Sequence, residues 1–564
     1  MNLSPLKKIC EKHTKLILLI IFVLSSITVC FFGHNSDESG WNALAYQIAT
    51  GDKFLKEIWT LFFFPELLVA PIMWIYIKLA SGTDGVILFL RILGCVISAT
   101  VSFSLYGAIK KISSKNIAFW SALAFFLFSP SNFACPNYKN ISIWGIMLTS
   151  ICFVNYTRNP KPFTMVCAGL FSVVGIMGYP TTGILVPYLV FLSIYITCKA
   201  SGNKRHRFVY SISLVVSGLV FLSAVIFVTD IGSLNNLSKV FESDFHHTHF
   251  FDSVLNALKA VAIGLLRGAL PFFAIDYFGK KLVDSSNRTL GRLGAIFINS
   301  RLVFLIYFFG FSVVMFSPLF GVGLNSMAFP VAMAFFAILF FYKQSKLENK
   351  KLLFLIFGVV PAICAFTIFF TSNQAYPIVW IMPLISALPF LFMLINGSEY
   401  KGKANEKLLM NLICCSVCLF MLFTRTFFVV NTGSRHDSLR HPKKMIDFGP
   451  AKHMLVLEEY YDLYYAQWDL IKQHCVKGDN VLIAPSNKVG YLMSDIKVSE
   501  SIFNVLLNST RVEQFLEANP HRVPKLVIVG SEDSLEDESY LKGMLERDYQ
   551  CYIYNDDFEY YLKK

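Results

Sequence analysis

Charged residues are scarce in this chain of 564 residues: Asp, Glu, Lys and Arg together make up 15%, whereas hydrophobic residues make up 55%. The mean hydropathy is +0.54. So few charges exclude a soluble globular protein, and the composition is typical of an integral membrane protein. Apolar runs of about 17–25 residues, the length that crosses a bilayer as a helix, recur from Leu16 to Val430.

Several common motifs are absent as well. The sequence has no glycine-rich loop of the kind that cradles a phosphate, so nucleotide hydrolysis has no support, and it has no internal repeat. The first apolar run follows lysines and lacks a small-residue cleavage site, so it resembles a retained anchor. The Cys-x-x-Cys of residues 415–418 lies inside the last apolar run, where we expect core packing. The sequence leaves open whether Cys475 and Cys551 pair.

Residues 432–564, called the C-terminal region below, contain no run long enough to span a bilayer. They carry 16 Lys/Arg against 21 Asp/Glu. We therefore predict two domains, a membrane domain of residues 1–431 and a soluble α/β domain of residues 432–564. In the second domain the residue patterns predict strands at 479–486 and 524–530 and helices at 449–475 and 509–520.

The net charge of +13 belongs to the membrane domain. The C-terminal region sums to −5 (16 − 21), which leaves 34 basic and 16 acidic residues, or +18, in residues 1–431. These basic residues sit in short loops, which the positive-inside rule places in the cytoplasm, and they do not indicate a nucleic-acid partner. The cytoplasmic loops hold 25 Lys/Arg, and the opposite loops hold five: Lys53, Lys56, Lys78, Lys139 and Lys239.

This asymmetry fixes the predicted topology, because two spans must separate each basic loop from the next. We predict thirteen spans, near residues 16–32, 86–108, 117–130, 141–156, 163–178, 183–198, 208–229, 257–278, 302–319, 322–341, 352–371, 377–395 and 408–430. The N-terminus is then cytoplasmic, and the C-terminal region lies outside. Two long loops, 33–85 and 230–256, lie outside too.

One apolar segment, "LFFFPELLVAPIMWIYIKLA" (61–80), is left out of the spans. If it crossed the membrane, every later basic loop would change sides. It also contains two prolines and an acid. We therefore predict that it lies on the outer membrane surface as interfacial helix.

Two adjacent acids, Asp37 and Glu38, follow the first predicted span in the stretch "SDESGW". A carboxylate at the outer face can serve as a general base. Acids also suit a helix N-terminus, so both residues can instead cap a helix that begins near Ser39. The residues alone allow both roles.

The stretch "SDESGWNALAYQIATGDKF" (36–54) resembles the first outer loop of GT-C glycosyltransferases that use polyprenyl-phosphate sugars. The chain is most similar to the branch of aminoarabinose lipid A transferases and protein O-mannosyltransferases. Further matches are residues 85–91, "SPSNFACPNYKNISIWGIML" (129–148), "GYPTTG" (178–183) and "LIAPSNKVGYLMSD" (482–495).

The resemblance implies an all-α polytopic GT-C-like fold of about thirteen transmembrane helices with a periplasmic C-terminal α/β domain, in a bacterial inner membrane. It implies a polyprenyl-phosphate-sugar donor and a hydroxyl acceptor on lipopolysaccharide, another surface glycan or a lipid, or on a protein. Asp37 would be the base and Glu38 its orienting partner. Tyr138 and Tyr179, within the matching motifs, are candidate substrate contacts. No cofactor is expected, and a metal requirement stays open.

The departing phosphate needs cations on the outer side. The candidates are Lys139, Lys259 and Arg267. Arg267 lies inside a predicted span, where a charge usually faces a cavity or a partner, so it either binds phosphate or pairs with an acid such as Asp276. Lys139 falls about where the aminoarabinose branch has a second acid, which puts a two-carboxylate mechanism in doubt.

Three histidines, His246, His247 and His249, lie in the second long loop. Their spacing does not place all three on one helix face, and no carboxylate pattern completes a zinc site. Hydrogen bonding to the donor or acceptor and a plain solvated loop are both open for them.

A non-catalytic flippase or transporter of lipid-linked sugars is the alternative class of function. A transporter would more often show repeated halves and broken helices at matching positions. A glycan polymerase or ligase is a third reading, but we find no arginine-rich outer segment to bind its diphosphate donor. The concentration of outer acids in one loop favours the enzyme.

Overall fold

The computed structural model describes most of the chain. The described residues are 4–34, 36–128, 134–200, 204–244, 255, 259, 270–297, 337–343, 345–371, 382–397, 406–430, 436–438, 443–483, 488–493, 496–499, 509–530, 540–555 and 558–564.

The first part of the chain is built of helices. They are α1 (Ser4–Phe31), α2 (Ser36–Thr50), α3 (Phe63–Ala80), α4 (Val86–Ile112), α5 (Lys115–Leu127), α6 (Tyr138–Arg158), α7 (Pro162–Gly178), α8 (Val186–Ala200), α9 (Val209–Val228), α10 (Leu237–Asp244), α11 (Leu270–Val283), α12 (Arg288–Phe297), α13 (Lys350–Phe354), α14 (Val360–Thr371), α15 (Leu388–Gly397) and α16 (Glu406–Phe427).

Within the described residues, six helical segments are long and apolar enough to cross a membrane: His13–Phe31, Phe63–Ala80, Val86–Ile112, Pro180–Ala200, His206–Val228 and Lys350–Ile368. Four shorter apolar helices accompany them: Lys115–Leu127, Pro162–Gly178, Pro383–Gly397 and Asn411–Phe423. A mostly helical protein with several membrane-length helices is thus confirmed. The count of thirteen stays a prediction, because the span at 302–319 and most of that at 322–341 lie outside the described residues.

Helices α6 and α7 pack closely because glycines face the contact. A Cβ atom at Gly145 would lie 2.3 Å from the backbone nitrogen of Gly175, and one at Gly178 would lie 2.3 Å from that of Ser142. Small residues allow such approach between helices in a membrane, where packing and not burial from water drives association. The end of α7 is thereby held against the start of α6.

Helix α3 corresponds to the apolar segment that we predict to be interfacial. At its start Phe63 stacks on Phe54, with ring centroids 4.4 Å apart. Near its end Tyr76 lies 4.6 Å from Phe89 in the first turn of α4, and its hydroxyl donates to the Asp84 carbonyl. Both ends of α3 therefore contact the segments that flank α2 and begin α4. The helix also has the length and hydropathy of a span, so its place in the membrane stays a prediction.

A five-stranded sheet forms the core of the C-terminal region, in the order β6-β5-β7-β9-β8. Strands β5, β6 and β7 are parallel, and β9 runs antiparallel to β7 and β8. Among the residues described here, three α-helices accompany the sheet. The elements are β3 (Lys443–Met445), β4 (Leu455–Leu457), α17 (Glu458–His474), β5 (Asn480–Ile483), β6 (Lys497–Val498), α18 (Ser509–Ala518), β7 (Leu526–Gly530), α19 (Tyr540–Asp548), β8 (Tyr549–Asn555) and β9 (Phe558–Lys563), with the short pair β1 (Phe428–Val430) and β2 (His436–Ser438) before them.

The predicted strands at 479–486 and 524–530 and the helix at 509–520 are found, with shorter described bounds, as β5, β7 and α18. The helix predicted over 449–475 is wrong in its first third, since it begins only at Glu458. Gly449 has a φ of +71°, and a Cβ there would lie 2.3 Å from the Tyr464 hydroxyl. The chain therefore turns at this point, and β4 pairs with β3 before the helix starts. Cys475 and Cys551 are free thiols.

The C-terminal region is fastened by backbone hydrogen bonds to the loop of residues 33–85, which we call the first long loop. The Gly33 amide donates to the Leu455 carbonyl over 2.8 Å. The Gly85 amide donates to Gly449 over 2.9 Å, so the start of α4 is held as well. These contacts fix both ends of the first long loop against one region.

Buried charges complete this attachment. The Asp52 carboxylate, 4% exposed, accepts from Arg522 over 2.7 Å and from Lys497 over 3.2 Å. The Asn519 amide donates to the Lys56 carbonyl over 2.8 Å. Breaking a buried pair by removing one partner leaves an uncompensated charge, so this contact resists separation.

The topology gives a first testable prediction. In a cysteine-free background, Val476→Cys, an exposed position in the C-terminal region, should react with a membrane-impermeant maleimide on intact cells or spheroplasts. Lys161→Cys, in the exposed turn between α6 and α7, should react only after permeabilisation. The physical reason is the distribution of basic loops. Labelling of position 161 but not 476 in intact cells would contradict the predicted orientation.

Candidate functional site

The two adjacent acids of the first long loop lie in the first turn of α2, which begins at Ser36. The expected start near Ser39 is therefore wrong by three residues, and the acids are part of the helix instead of preceding it. Consecutive helical residues point about 100° apart, so the two carboxylates face different surroundings. Glu38 is fully buried, whereas Asp37 is exposed.

Glu38 forms a buried, two-pronged ion pair with Arg91 in α4. The arginine Nε donates to Oε1 over 2.8 Å and Nη2 donates to Oε2 over 2.5 Å. Parallel bonds of this kind fix orientation as well as distance. The Glu38 carboxylate is thus committed to Arg91, and it holds α2 against α4.

The same arginine also binds the end of α1. Its Nη1 donates to the carbonyls of Val29, Cys30 and Phe32 over 3.2, 3.3 and 3.1 Å. The last carbonyls of a helix have no intrahelical partner, so a buried cation at this point satisfies them. Arg91 therefore joins the end of α1, the start of α2 and the start of α4.

His34 closes the short turn between α1 and α2. Its Nε2 lies 2.6 Å from the Ser39 hydroxyl in a hydrogen bond, and its ring stacks on Tyr460 of the C-terminal region at 4.6 Å. Burial, and then the charge of Arg91, hold the pKa of His34 well below its usual range, so the ring is neutral. The turn before the acids is thus rigid.

Asp37 faces the start of α6. Its charge acts on both Tyr138 and Lys139, the first two residues of that helix. One turn beyond Asp37, Trp41 lies 5.4 Å from the Tyr138 ring in an edge-on arrangement. The Lys139 ammonium lies 5.8 Å from the centroid of Trp41 and 5.3 Å from that of Tyr138. An acid, an ammonium and two aromatic rings are thereby brought together.

The start of α6 is fixed by a side-chain cap and by α7. Asn137 Oδ1 accepts from the Asn140 amide over 3.0 Å, as an N-cap residue does. The close approach of Gly178 to Ser142 then places Tyr179, the next residue, beside Tyr138 with ring centroids 5.8 Å apart. Tyr138, Lys139 and Tyr179 therefore meet because two helix ends are held in contact.

Lys139 is buried, with 8% of its surface exposed. It precedes the span predicted over 141–156. Burial lowers the pKa of the Lys139 ammonium to about 8, and the negative charge of Asp37 acts in the opposite direction. Burial and the partial positive charge of the α6 N-terminus both destabilise the Lys139 ammonium when it has no anion beside it. A bound anion would offset both effects, so the position suits an anion-binding ammonium.

The structure brings together four of the predicted site residues, Asp37, Tyr138, Lys139 and Tyr179, with Glu38 directly behind them. Lys259 is exposed, and no contact between it and this group is described. The remaining predicted residues, His246, His247, His249 and Arg267, lie outside the described residues.

Sequence reasoning missed the role of Arg91, although the signal was present, since a charged residue near the start of an apolar helix usually has a partner. It also missed Trp41 and Glu66. Within the described residues, no group of three or more His, Cys, Asp or Glu is arranged to hold a metal ion.

Comparison with known proteins gives the following. No protein-family model and no curated protein sequence matches the chain. The chain is similar to the apo oligosaccharyltransferase of Archaeoglobus fulgidus, with 11% identity and a TM-score of 0.46, over 92% of this chain and 70% of that one. It is similar to ArnT from Cupriavidus metallidurans bound to undecaprenyl phosphate, with 10% identity and a TM-score of 0.39, over 97% and 96%. Both scores lie below 0.5, so the function is proposed below from the residues of this chain.

The ion pair between Glu38 and Arg91 gives the second prediction. Replacing either residue alone by Leu should destabilise the protein by about 3–5 kcal/mol, because the other charge stays buried without its partner. The double replacement should recover part of that loss. The measurement is thermal unfolding in detergent.

The exposed pair of Lys444 and Glu458, 2.6 Å apart, is the matched control, and Lys444→Ala should cost at most about 1 kcal/mol. Strictly additive losses in the double variant would show that Glu38 and Arg91 do not depend on each other.

Proposed function

We propose that this protein is a membrane glycosyltransferase that moves a sugar from a polyprenyl-phosphate donor to a hydroxyl group of a surface glycan or lipid. We place the reaction at the periplasmic face of a bacterial inner membrane, with a lipopolysaccharide-type acceptor. The observation that carries the proposal is the electrostatic interaction of the exposed Asp37 carboxylate with the buried Lys139 ammonium at the start of α6. Such a transfer needs one group of each charge.

Asp37 is the proposed general base. Attack of an acceptor hydroxyl on the anomeric carbon forms the new C–O bond while the bond to the phosphate breaks, and the hydroxyl proton passes to the carboxylate. Its side chain is exposed while its backbone is held by α2. Because Glu38 is bound to Arg91, the base is held in place without being blocked. This division supports Asp37 over Glu38 as the base.

Lys139 is the proposed binding group for the donor phosphate. Negative charge grows on the leaving phosphate, and a preorganised cation in a site with little water stabilises it strongly. The N-terminus of α6 adds partial positive charge at the same place. Lys259 and Arg267 remain proposed as further cations for the donor.

The aromatic rings beside these charges fit a sugar. Trp41, Tyr138 and Tyr179 offer flat apolar faces within 5.4–5.8 Å of one another in successive pairs. Ligand sites combine such faces with a few placed polar groups. A flippase must bind the lipid-linked sugar, but it does not need a general base. The Glu38–Arg91 ion pair fixes the start of α2 and with it the position of Asp37, and this fixed position favours the enzyme.

Asp37→Asn is the direct test of the base. The amide keeps the size of the side chain but cannot take up the proton, so turnover should fall by about 10²- to 10⁴-fold while donor binding persists. Transfer from radiolabelled polyprenyl-phosphate sugars, with surface glycans analysed by mass spectrometry, measures the effect. Near-full activity of Asp37→Asn would show that Asp37 is not the base.

Lys139→Gln tests the phosphate site. Loss of the ammonium should raise the donor concentration needed for half-maximal transfer by about tenfold or more, since a charge-assisted hydrogen bond contributes about 1.5–3 kcal/mol. Lys78→Gln is the matched control, because Lys78 also lies over an aromatic ring, Trp74 at 6.0 Å, but away from Asp37 in the chain. Equal effects of the two changes would place the phosphate elsewhere.

A further inference from the structure

Glu66, in the first turn of α3, is fully buried, and neither of its carboxylate oxygens has a hydrogen-bond partner in the part of the chain that the structure describes. The buried polar side chains in the same condition include Asn42 of α2, through both its amide atoms, and Ser142 of α6. The three lie on the three helices that also carry or adjoin Asp37 and Lys139.

An unpaired carboxyl group in this position costs stability. A buried polar group without a hydrogen bond loses its contacts with water and regains nothing, and an ionised carboxylate loses far more, so Glu66 is held in its neutral form. The nearby apolar residues Val69, Ala70 and Met73 of the same helix are buried with it. Unsatisfied groups of this kind are rare in folded proteins and mark strain or function.

The surroundings of Glu66 connect it to the proposed active site. Glu66 is a neighbour of the buried Cys135 thiol, as are Glu38 and Arg91. Cys135 lies four residues before Lys139, and the Asn140 side chain donates to its carbonyl over 2.7 Å. On the other side, Phe62 lies 4.9 Å from the Tyr138 ring. Glu66 therefore lies next to the segment that leads into Tyr138 and Lys139.

We propose that Glu66 is a specificity-determining residue that hydrogen-bonds hydroxyl groups of the transferred sugar. The proposal rests on the proposed function, since it takes the sugar to be delivered on the phosphate held by Lys139. A neutral carboxyl group both donates and accepts, which matches a sugar hydroxyl that also does both. The sugar hydroxyl groups of the donor then supply the hydrogen bonds that the Glu66 carboxyl group lacks in the free protein.

Other ligands fit this carboxyl group less well. A phosphate would be drawn to Lys139 and the N-terminus of α6, where positive charge lies. A metal ion needs several ligands, and the described residues offer no group of three. A hydroxyl group satisfies a neutral acid without bringing a charge into a buried place.

The first arm of the test separates function from structure. Glu66→Leu keeps a similar volume and removes the unsatisfied group, so the apparent melting temperature should rise by about 1–3 °C, while kcat/KM falls by about 10- to 100-fold. Ser121→Ala is the matched control. Ser121 is a buried hydroxyl of α5 that also lacks a partner among the described residues, and its removal should leave transfer unchanged. A lower melting temperature, or wild-type kcat/KM, in Glu66→Leu would overturn the proposal.

The second arm measures specificity. The probes are the polyprenyl-phosphate hexose that the wild-type protein uses and its monodeoxy analogues. The wild type should discriminate against at least one analogue by about tenfold or more, because a site built to bind a hydroxyl group rejects a ligand that lacks it. Glu66→Leu should use that analogue and the full donor about equally. Unchanged discrimination would overturn the proposal, and Glu66→Met, which also removes both carboxyl oxygens, repeats the measurement with a second apolar side chain of similar length.

The two proposals fail in different ways. If the wild type transfers sugar and Asp37→Asn does not, the proposed function stands and the Glu66 variants alone decide the inference. If the wild type uses no polyprenyl-phosphate sugar, the proposed function fails and the role of Glu66 in sugar selection fails with it.

Discussion

The buried contact of Arg91 with Glu38 is the interaction on which the candidate site depends. One guanidinium group satisfies the end of α1 and binds the carboxylate that begins α2. The charge of Glu38 is what makes a buried arginine tolerable, and the arginine is what makes a buried glutamate tolerable. The orientation of Asp37, one residue away, follows from this pair.

The two adjacent acids, Asp37 and Glu38, differ in burial. Both are carboxylates in the first turn of one helix, and the helix dipole favours both. The residue that faces α4 is enclosed and paired, whereas its neighbour faces the start of α6 and remains exposed. A 100° turn of the helix is thus enough to enclose one acid and to leave the other exposed, which is the difference that the proposed function uses.

Much of this arrangement could be predicted from sequence, for identifiable reasons. The apolar runs gave the helices because membrane spans are long and nearly uncharged, and Asp37 and Glu38 stood out because acids are rare outside the C-terminal region. The ion pairs between side chains could not be predicted, since they depend on which helices pack against each other. The contact of Arg91 with Glu38 joins residues 53 positions apart. The unsatisfied state of Glu66 was equally hidden, because only the packed structure shows what a side chain lacks.

The C-terminal region adds rigidity to the same site. It binds the turn before α2 through Tyr460, the loop after α2 through Arg522, and the start of α4 through its backbone. Helix α2 is therefore held at both ends by the C-terminal region. The proposed base, Asp37, would benefit from such restraint, since small displacements cost large factors in rate.

The charges of the site carry a consequence for the order of binding. Asp37 and Lys139 offset each other, as Glu38 and Arg91 do, so the described site has no large excess of positive charge to attract a donor. A phosphate that binds Lys139 competes with Asp37 for the ammonium. On the proposed function, donor binding would therefore draw the ammonium toward the phosphate and away from Asp37. That favours a sequence in which the acceptor reacts only after the donor is in place.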